Sequence, residues 1–200
     1  MAVVAVLAGW WLWPTGKRYP PGVLVPADPK ITPVTGASPF PYLAHDRRYD
    51  LTPQASYTLQ ARVLSVNLEY GDSLIGPVDL TVGWGAMSDQ AVLDRMQIWQ
   101  DNTRHWFCKP KGDWPISPDE VAHHAVNTHL IPASPQIEKA LLALGKGDLI
   151  SLEGKLVNVS RADGFHWNTS VDPMGFGDHS CKIVWVEKIT PLGAPASLAR

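Results

Sequence analysis

Residues 127–169 carry the sequence NTHLIPASPQIEKALLALGKGDLISLEGKLVNVSRADGFHWNT, which decides the fold. Its apolar periodicity changes from that of a strand to that of a helix and back again. The pattern predicts strand, helix, strand, turn and strand, in that order. Such a succession is typical of a sheet with a helix packed against it.

The helix in this stretch is predicted by its capping residues and its apolar stripe. Ser134 suits the N-cap and Pro135 suits the first helical position. Apolar residues then recur with helical spacing at Ile137, Leu141 and Leu144. We expect Gly145 to end the helix in the left-handed conformation.

A bent strand is predicted after the helix. Ile150 and Leu152 alternate with polar residues, as in a strand with one buried face. Beyond Gly154 the apolar face changes to Val157 and Val159, which predicts a bulge or a sharp bend at the glycine.

The end of the chain completes the predicted sheet. Asp163–Gly164 is a strong signal for a tight hairpin leading to a return strand, 165–169, and a last strand is predicted from Cys181 to Ile189. Together these elements predict the α+β class, with a strongly bent antiparallel sheet of the OB-like barrel type and two or three short helices.

Composition bounds the size and the partners of the protein. The chain has 200 residues, 45% of them hydrophobic, which suffices for one domain with additional terminal segments. Its formal net charge of -2 gives no electrostatic footprint for nucleic acid, so nucleic-acid binding is disfavoured.

The N-terminal segment 1–13 contains an uncharged run, AVVAVLAGWWLW, that ends in three tryptophans. Tryptophan concentrates at membrane–water interfaces, so we expect residues 2–13 to be a membrane anchor or its remnant. A helix of this length spans only about 18 Å of a hydrocarbon core of about 30 Å, which favours a native start further upstream. The alternative is an apolar tail packed on the domain. The flanking Lys17 and Arg18 leave the side of the membrane open, and we slightly favour the periplasmic side over the cytoplasm.

Three further segments follow the anchor. Residues 14–54 are rich in proline and show no helical or strand period, which predicts an extended arm of polyproline type. The alternative is that its second half wraps the domain, since Phe40, Tyr42 and Tyr49 could be buried. We expect a single globular domain from 55 to 190 and a flexible tail from 191 to 200.

The first half of the domain shows shorter signals. Alternating apolar residues predict strands over 57–68 and 78–84, and Ser88–Asp89 is expected to cap a short helix through Asp94. Segments 96–99 and 104–109 predict a hairpin. Asp119 and Glu120 open either a helical turn or the strand that enters Asn127.

A set of short motifs occurs in order across most of residues 55–188. They are Pro77–Leu80, Gly83–Gly85, Met87–Asp89, Asn127, His129–Ala133, Leu152, Gly154, Leu156–Val157, Asp163–Gly164, Trp167 and Cys181. In these residues the domain resembles a proteobacterial family of proteins with an N-terminal membrane anchor and no assigned activity. The resemblance implies a membrane anchor and carries over no catalytic residue.

One candidate site is a thiol centre. Cys181 would be the nucleophile, His129 or His179 the base, and Asp172 or Asn127 the group that orients the base. This chemistry requires a thiolate activated by a nearby imidazole that is held in one tautomer. The alternative is a buried structural cysteine, which we favour because no catalytic signature surrounds Cys181.

Metal binding and a disulfide are disfavoured. His123 and His124 would point to opposite faces of a strand, and no recurrent ligand spacing is present, so we predict neither a metal nor a cofactor. Cys108 and Cys181 could form a disulfide only after export, and two free thiols are favoured.

Aromatic and polar residues in the strands suggest a binding surface. Tryptophans that could stack a ligand are Trp84, Trp106, Trp167 and Trp185, although a core position is the commoner use of such residues. Asp79, Asn127 and His129 are polar residues in apolar strands, which favours a buried hydrogen-bond network. The candidate binding residues are therefore Asp79, Trp84, Asn127, His129 and Trp167.

The sequence favours a non-enzymatic function. We expect a membrane-tethered module of the bacterial cell envelope that binds a protein partner or serves as a scaffold. The alternatives are a small thiol-dependent hydrolase that uses Cys181 and His129, and an OB-type nucleic-acid binder.

Overall fold

The computed structural model describes residues 16–69, 75–101, 105–173 and 180–193. A 3-10 turn, Gly85–Ser88, precedes the first α-helix. The strands and helices in these ranges are β1 (Lys30–Pro33), β2 (Phe40–Ala44), β3 (Arg47–Leu68), β4 (Val78–Gly83), α1 (Gln90–Asp94), β5 (Met96–Gln100), β6 (Trp106–Pro110), α2 (Pro118–His124), β7 (Ala125–Pro132), α3 (Pro135–Leu142), β8 (Leu149–Ser160), β9 (His166–Trp167) and β10 (Lys182–Pro191).

One strongly curved sheet dominates the fold and confirms the predicted α+β class. Its strand order is β1-β3-β4-β7-β10-β8-β9, and β2 also pairs with β3. The long strand β3 pairs with β8 through residues 50–62 and with β4 through residues 62–68. Strands β7 and β10 run parallel, whereas the other pairs are antiparallel.

The two faces of β4 and β7 differ in chemistry. Alternate residues on one face, such as Leu80 and Leu130, are fully buried in the main apolar cluster. The other face carries the side chains of Asp79, Asn127 and His129, which are also buried. Polar residues therefore form a band on the face of the sheet opposite to the main core.

Helix α3 confirms the predicted N-terminus but ends earlier than expected. The Ser134 hydroxyl accepts a hydrogen bond from the amide of Ile137, as predicted for the N-cap. The helix ends at Leu142, and Gly145 is not the left-handed residue. The C-cap is Ala143, and the left-handed conformation occurs beyond it at Gly147, whose φ is +88° and which lies against the backbone of Lys17.

Of the two alternatives predicted at Gly154, the bulge in β8 is wrong. Strand β8 alternates without interruption, and the extra residues lie in its partners, between Pro53 and Ala55 in β3 and between Val186 and Lys188 in β10. The apolar face changes along β8 because two hydrophobic clusters cover opposite faces of the strand. Ile150 and Leu152 belong to the main cluster, and Val157 and Val159 belong to a second one. Gly154 is needed because a Cβ atom there would lie 2.1 Å from the Trp185 carbonyl oxygen.

The described part of the proline-rich arm is not an extended spacer. Strand β1 pairs with β3, β2 also pairs with β3, and β3 begins at Arg47 rather than near residue 55. Leu24 and Val25 are buried in the main cluster, and their amides donate hydrogen bonds to the Ser88 hydroxyl. Proline masks a strand pattern but is tolerated in edge strands, as at Pro33 in β1.

Several shorter predictions have clear outcomes. Asp89 caps α1, and β5 and β6 form the predicted hairpin. Residues 118–124 form a helix with a capping box between Ser117 and Glu120, which resolves the alternative left open by the sequence. The return strand after the Asp163–Gly164 turn is shorter than predicted and comprises only β9.

The predicted anchor and most of the tail lie outside the described residues, as does His179. In the ranges that the structure describes, no helix is both long and apolar enough to cross a membrane.

Candidate functional site

A buried acid–imidazole pair connects β4 and β7. Asp79 and His129 are directly opposite each other in this antiparallel pair, so their side chains project from the same face. Nδ1 of His129 lies 2.7 Å from Oδ2 of Asp79, and the two side chains are only 3% and 2% exposed. The approach is off the direction of an ideal hydrogen bond, so the attraction is mainly that of an ion pair.

Strand β10 brings Cys181 to the same imidazole. Ile183 in β10 is the parallel neighbour of His129, and Cys181 precedes it by two residues and therefore projects from the same face. The thiol makes a hydrogen-bonding contact with the His129 ring. Cys181 is partly exposed, whereas His129 and Asp79 are buried behind it. A thiol, an imidazole and a carboxylate thus form a chain that runs from the surface inward.

Electrostatics keep the imidazole protonated at neutral pH. Burial lowers the pKa of His129, but the contacts with Asp79 and Cys181 outweigh burial and raise this pKa from 6.5 to about 9. An imidazolium beside a cysteine is the arrangement that supplies a reactive thiolate in cysteine-dependent enzymes.

The segment after β9 covers the site. The Trp167 ring contacts the His129 ring at a centroid distance of 4.7 Å and a tilt of 56°. The Ser170 amide donates to the Cys181 carbonyl oxygen, and the Ile183 amide donates to the Thr169 hydroxyl. These bonds hold the segment 167–170 along the start of β10.

A second polar group extends the band along β7. The Oδ1 atom of Asn127 accepts a hydrogen bond from Nε2 of Gln100 at 2.7 Å and lies 3.5 Å from the Thr81 hydroxyl. The Oε1 atom of Gln100 is buried and accepts no hydrogen bond from the described part of the chain. Asn127 therefore links the curved sheet to the β5–β6 hairpin.

The structure brings some of the predicted thiol-site residues together and replaces others. Cys181 and His129 are in contact, as the thiol hypothesis requires. Asp79 lies beside the imidazole in the position expected for Asp172 or Asn127. Asp172 lies instead near the buried Lys182, where its charge counteracts the lowering of the lysine pKa to about 8 that burial causes. Sequence reasoning identifies Asp79 as a candidate binding residue within a polar network but not as the partner of His129, because the register of the two strands is a long-range property.

The predicted tryptophan surface is largely buried. Trp84 is 1% exposed and donates a hydrogen bond from Nε1 to Asp28. It borders a cavity of about 580 Å³ that His123 and His124 also line. Trp106 is buried, and Trp185 packs edge-on against Phe40 and Tyr42, a contact that uses its ring within the fold.

The structure also bears on metal and disulfide formation. His123 and His124 belong to α2 rather than to a strand, and their Nδ1 atoms contact backbone oxygens one turn earlier. Among the described residues, no cluster of three metal-ligating side chains is present. Neither Cys108 nor Cys181 takes part in a disulfide bond within the described residues.

Comparison of the chain with protein-family models, curated proteins and solved structures finds no match. The family resemblance based on the sequence motifs therefore stays a prediction.

Proposed function

We propose that the protein is a thiol-dependent acyl-transfer enzyme or hydrolase in which Cys181 is the nucleophile. The observation that carries this proposal is the contact of Cys181 with His129, whose imidazole is also paired with Asp79. The sequence instead favours a non-enzymatic function, because no catalytic signature surrounds Cys181, and we keep that function below as the second candidate.

The residues have distinct roles in the proposed reaction. The Cys181 thiolate attacks the carbonyl carbon of an ester, thioester or amide and forms a C–S bond. The bond to the leaving group breaks, and the His129 imidazolium gives its proton to that group. Asp79 holds the ring and stabilises its protonated form, as the carboxylate does in catalytic triads.

Hydrolysis of the acyl-enzyme closes the cycle. The neutral His129 imidazole takes a proton from water, whose oxygen attacks the thioester carbon. The C–S bond then breaks, which restores the Cys181 thiolate and the imidazolium and releases a carboxylic acid. One water is consumed for each acyl group transferred.

We also propose that the sheet is of the OB type. In that fold, strands 2 and 3 and the loops next to them form the ligand surface. Support comes from the pairing order β3-β4-β7-β10-β8 with its return to β3, and from the parallel pair β7 and β10. Strands β4 and β7 are second and third in this order, and they carry Asp79 and His129. This is an argument by analogy of fold and names no substrate.

The test is acylation of the purified full chain by an activated ester such as p-nitrophenyl acetate. We expect intact-mass and peptide analysis to find one acetyl group on Cys181. Nitrophenol release should be lost in Cys181→Ser and retained in Cys108→Ser, which is the matched control within the same chain. Equal acetylation of both cysteines, or unchanged release in Cys181→Ser, would refute the proposal.

The second candidate function is the membrane-tethered binding module. It is favoured by the burial of His129 and Asp79 and by the Trp167 ring that covers the imidazole, since buried polar networks often serve the fold alone. The double change Cys181→Ser with His129→Ala separates the two functions. A fall in unfolding temperature, in a protein whose wild type shows no detectable turnover, supports the module.

Extraction of the full chain from membranes with alkaline carbonate tests the proposed anchor at residues 2–13, because an inserted segment stays in the pellet.

A further inference from the structure

A cavity lined by cations lies apart from the thiol site. Its volume is about 270 Å³, at the small end of the range for ligand pockets. Five basic side chains line it: Lys17, Arg18, Arg62, Lys111 and Lys146. Arg62 is opposite Gly83 in β4, four residues from Asp79, so the cavity and the thiol site are separated by roughly 13 Å along that strand.

Two of the five cations are neutralised within the protein. Lys17 forms an ion pair with Asp148 at 2.6 Å, and Arg18 forms one with Asp94 at 2.7 Å. In the described ranges, no carboxylate forms an ion pair with any of the remaining three, Arg62, Lys111 and Lys146. The cavity therefore keeps an excess of positive charge.

Arg62 is the most deeply buried of the five basic residues that line this cavity. The residue is only 3% exposed, and its guanidinium donates to the carbonyl oxygens of Ser88 and Lys17 and to the side chain of Gln90. Its Nε–H has no acceptor among the described residues. This donor is enclosed by protein atoms, so Arg62 contributes its positive charge to the cavity rather than an open hydrogen-bond donor.

The lysines at the rim experience the same excess charge. Lys146 is an exposed residue, but partial burial of its ammonium group lowers its pKa, and the positive charges of Lys111 and Arg62 lower this pKa further. Within the described segments, the Lys111 ammonium donates a hydrogen bond only to the backbone oxygen of Asp94. A bound anion would relieve this mutual repulsion.

We propose that this cavity binds a phosphate group. A tetrahedral dianion matches a guanidinium and two ammonium groups without carboxylate partners, and charge-assisted hydrogen bonds to phosphate are among the strongest in proteins. The apolar wall, formed by Leu93, Met96 and Ile98, fits a short carbon chain attached to that group.

The experiment measures binding of inorganic phosphate and pyrophosphate to the full chain by calorimetry, at pH 7 and constant ionic strength. The test variant is Lys111→Gln with Lys146→Gln. The control is Lys30→Gln with Lys139→Gln, which removes two exposed lysines elsewhere and changes the net charge equally. Constant ionic strength is needed because salt screens exposed charges.

The proposal predicts saturable binding of at least one of the two anions by the wild type. The affinity of the test variant should be at least about tenfold lower than that of the wild type, because two charge-assisted hydrogen bonds to the anion are lost. The affinity of the control should stay within about twofold of the wild-type value, because its two lysines are exposed and distant. A second arm uses phosphatidylcholine vesicles with and without phosphatidic acid. The quantity compared is the additional binding caused by phosphatidic acid, because the expected anchor at residues 2–13 would bind both kinds of vesicle. Loss of this additional binding in the test variant but not in the control identifies a lipid as the source of the phosphate. Binding of the soluble anions without this additional binding identifies a free metabolite.

Two results would overturn the proposal. One is the absence of saturable binding in every arm, and the other is equal weakening in the test and control variants. All four substituted lysines are exposed, so we expect both variants to unfold at nearly the wild-type temperature. Measuring these unfolding temperatures ensures that any change in binding is not caused by unfolding.

Discussion

Exchanging the buried pair for two amides, by Asp79→Asn together with His129→Gln, should change how stability depends on pH. The double change keeps polar side chains of similar size on adjacent strands but removes both charges. Either change alone would leave one buried group without its partner, at a large cost that is unrelated to titration. The double variant therefore removes the titration of His129 without leaving its partner Asp79 as an unpaired buried charge.

The sign and the size of the effect follow from the two pKa values of His129. The pKa is about 9 in the folded chain and 6.5 without the protein environment. Because the folded value is higher, the contribution to stability is complete below pH 6.5 and is lost as the pH rises through 9. The difference of about 2.5 pH units, at about 1.36 kcal/mol per unit, amounts to ~3 kcal/mol.

The assay is urea unfolding of both proteins, followed by tryptophan fluorescence between pH 6 and 9.5. The free energy of unfolding of the wild type, minus that of the double variant, should fall by about 3 kcal/mol over this range. Lys182 titrates nearby with a pKa lowered to about 8, and its contribution rises with pH. Both proteins carry Lys182, so the subtraction removes its effect. A difference that is constant with pH, or that rises, would refute the protonated state of His129.

Three further substitutions test the packing described above by the same unfolding assay. Gly154→Ala should lower the free energy of unfolding by about 3 kcal/mol or more, because its Cβ would meet the Trp185 carbonyl oxygen at 2.1 Å; a loss below ~1 kcal/mol would contradict this close approach. Ser134→Ala removes the hydrogen bond to the Ile137 amide and should cost about 1 kcal/mol, and rescue by Asp at this position would identify the loss as that of the cap. Lys188→Ala removes an exposed ion pair and should change stability by less than ~0.5 kcal/mol, so a larger loss would indicate a role beyond that pair.

Local signals in the sequence were sufficient for several elements. The Ser134–Pro135 pair and the apolar stripe predicted the start and the buried side of α3, because capping and periodicity act within a few residues. The alternation around Ile150 predicted β8 for the same reason. Gly154 was recognised as unusual, but its cause is the backbone of Trp185 in another strand. A glycine within a strand is expected both at a bulge and where a neighbouring backbone lies too close for a Cβ atom, so the sequence does not distinguish the two.

The candidate site depended on contacts that no local pattern contains. Asp79 and His129 lie 50 positions apart, and they meet because β4 and β7 pair in one particular register. Cys181 joins them because β10 runs parallel to β7, whereas an antiparallel sheet was expected. The sequence identified all three residues as candidates for a role but paired Cys181 and His129 with Asp172 or Asn127.

The central claim is that His129 and Asp79 activate Cys181, and relative alkylation of the two cysteines tests it most directly. Iodoacetamide is added to the native chain at pH 6.5 to 9, and peptide mass spectrometry follows both thiols in one sample. Burial raises the pKa of Cys108, so this partly buried cysteine is an internal reference for an unactivated thiol. The account predicts that Cys181 reacts faster than Cys108 at pH 6.5 and that this ratio falls sharply in His129→Gln. Equal rates in the wild type, or a ratio that His129→Gln leaves unchanged, would contradict it.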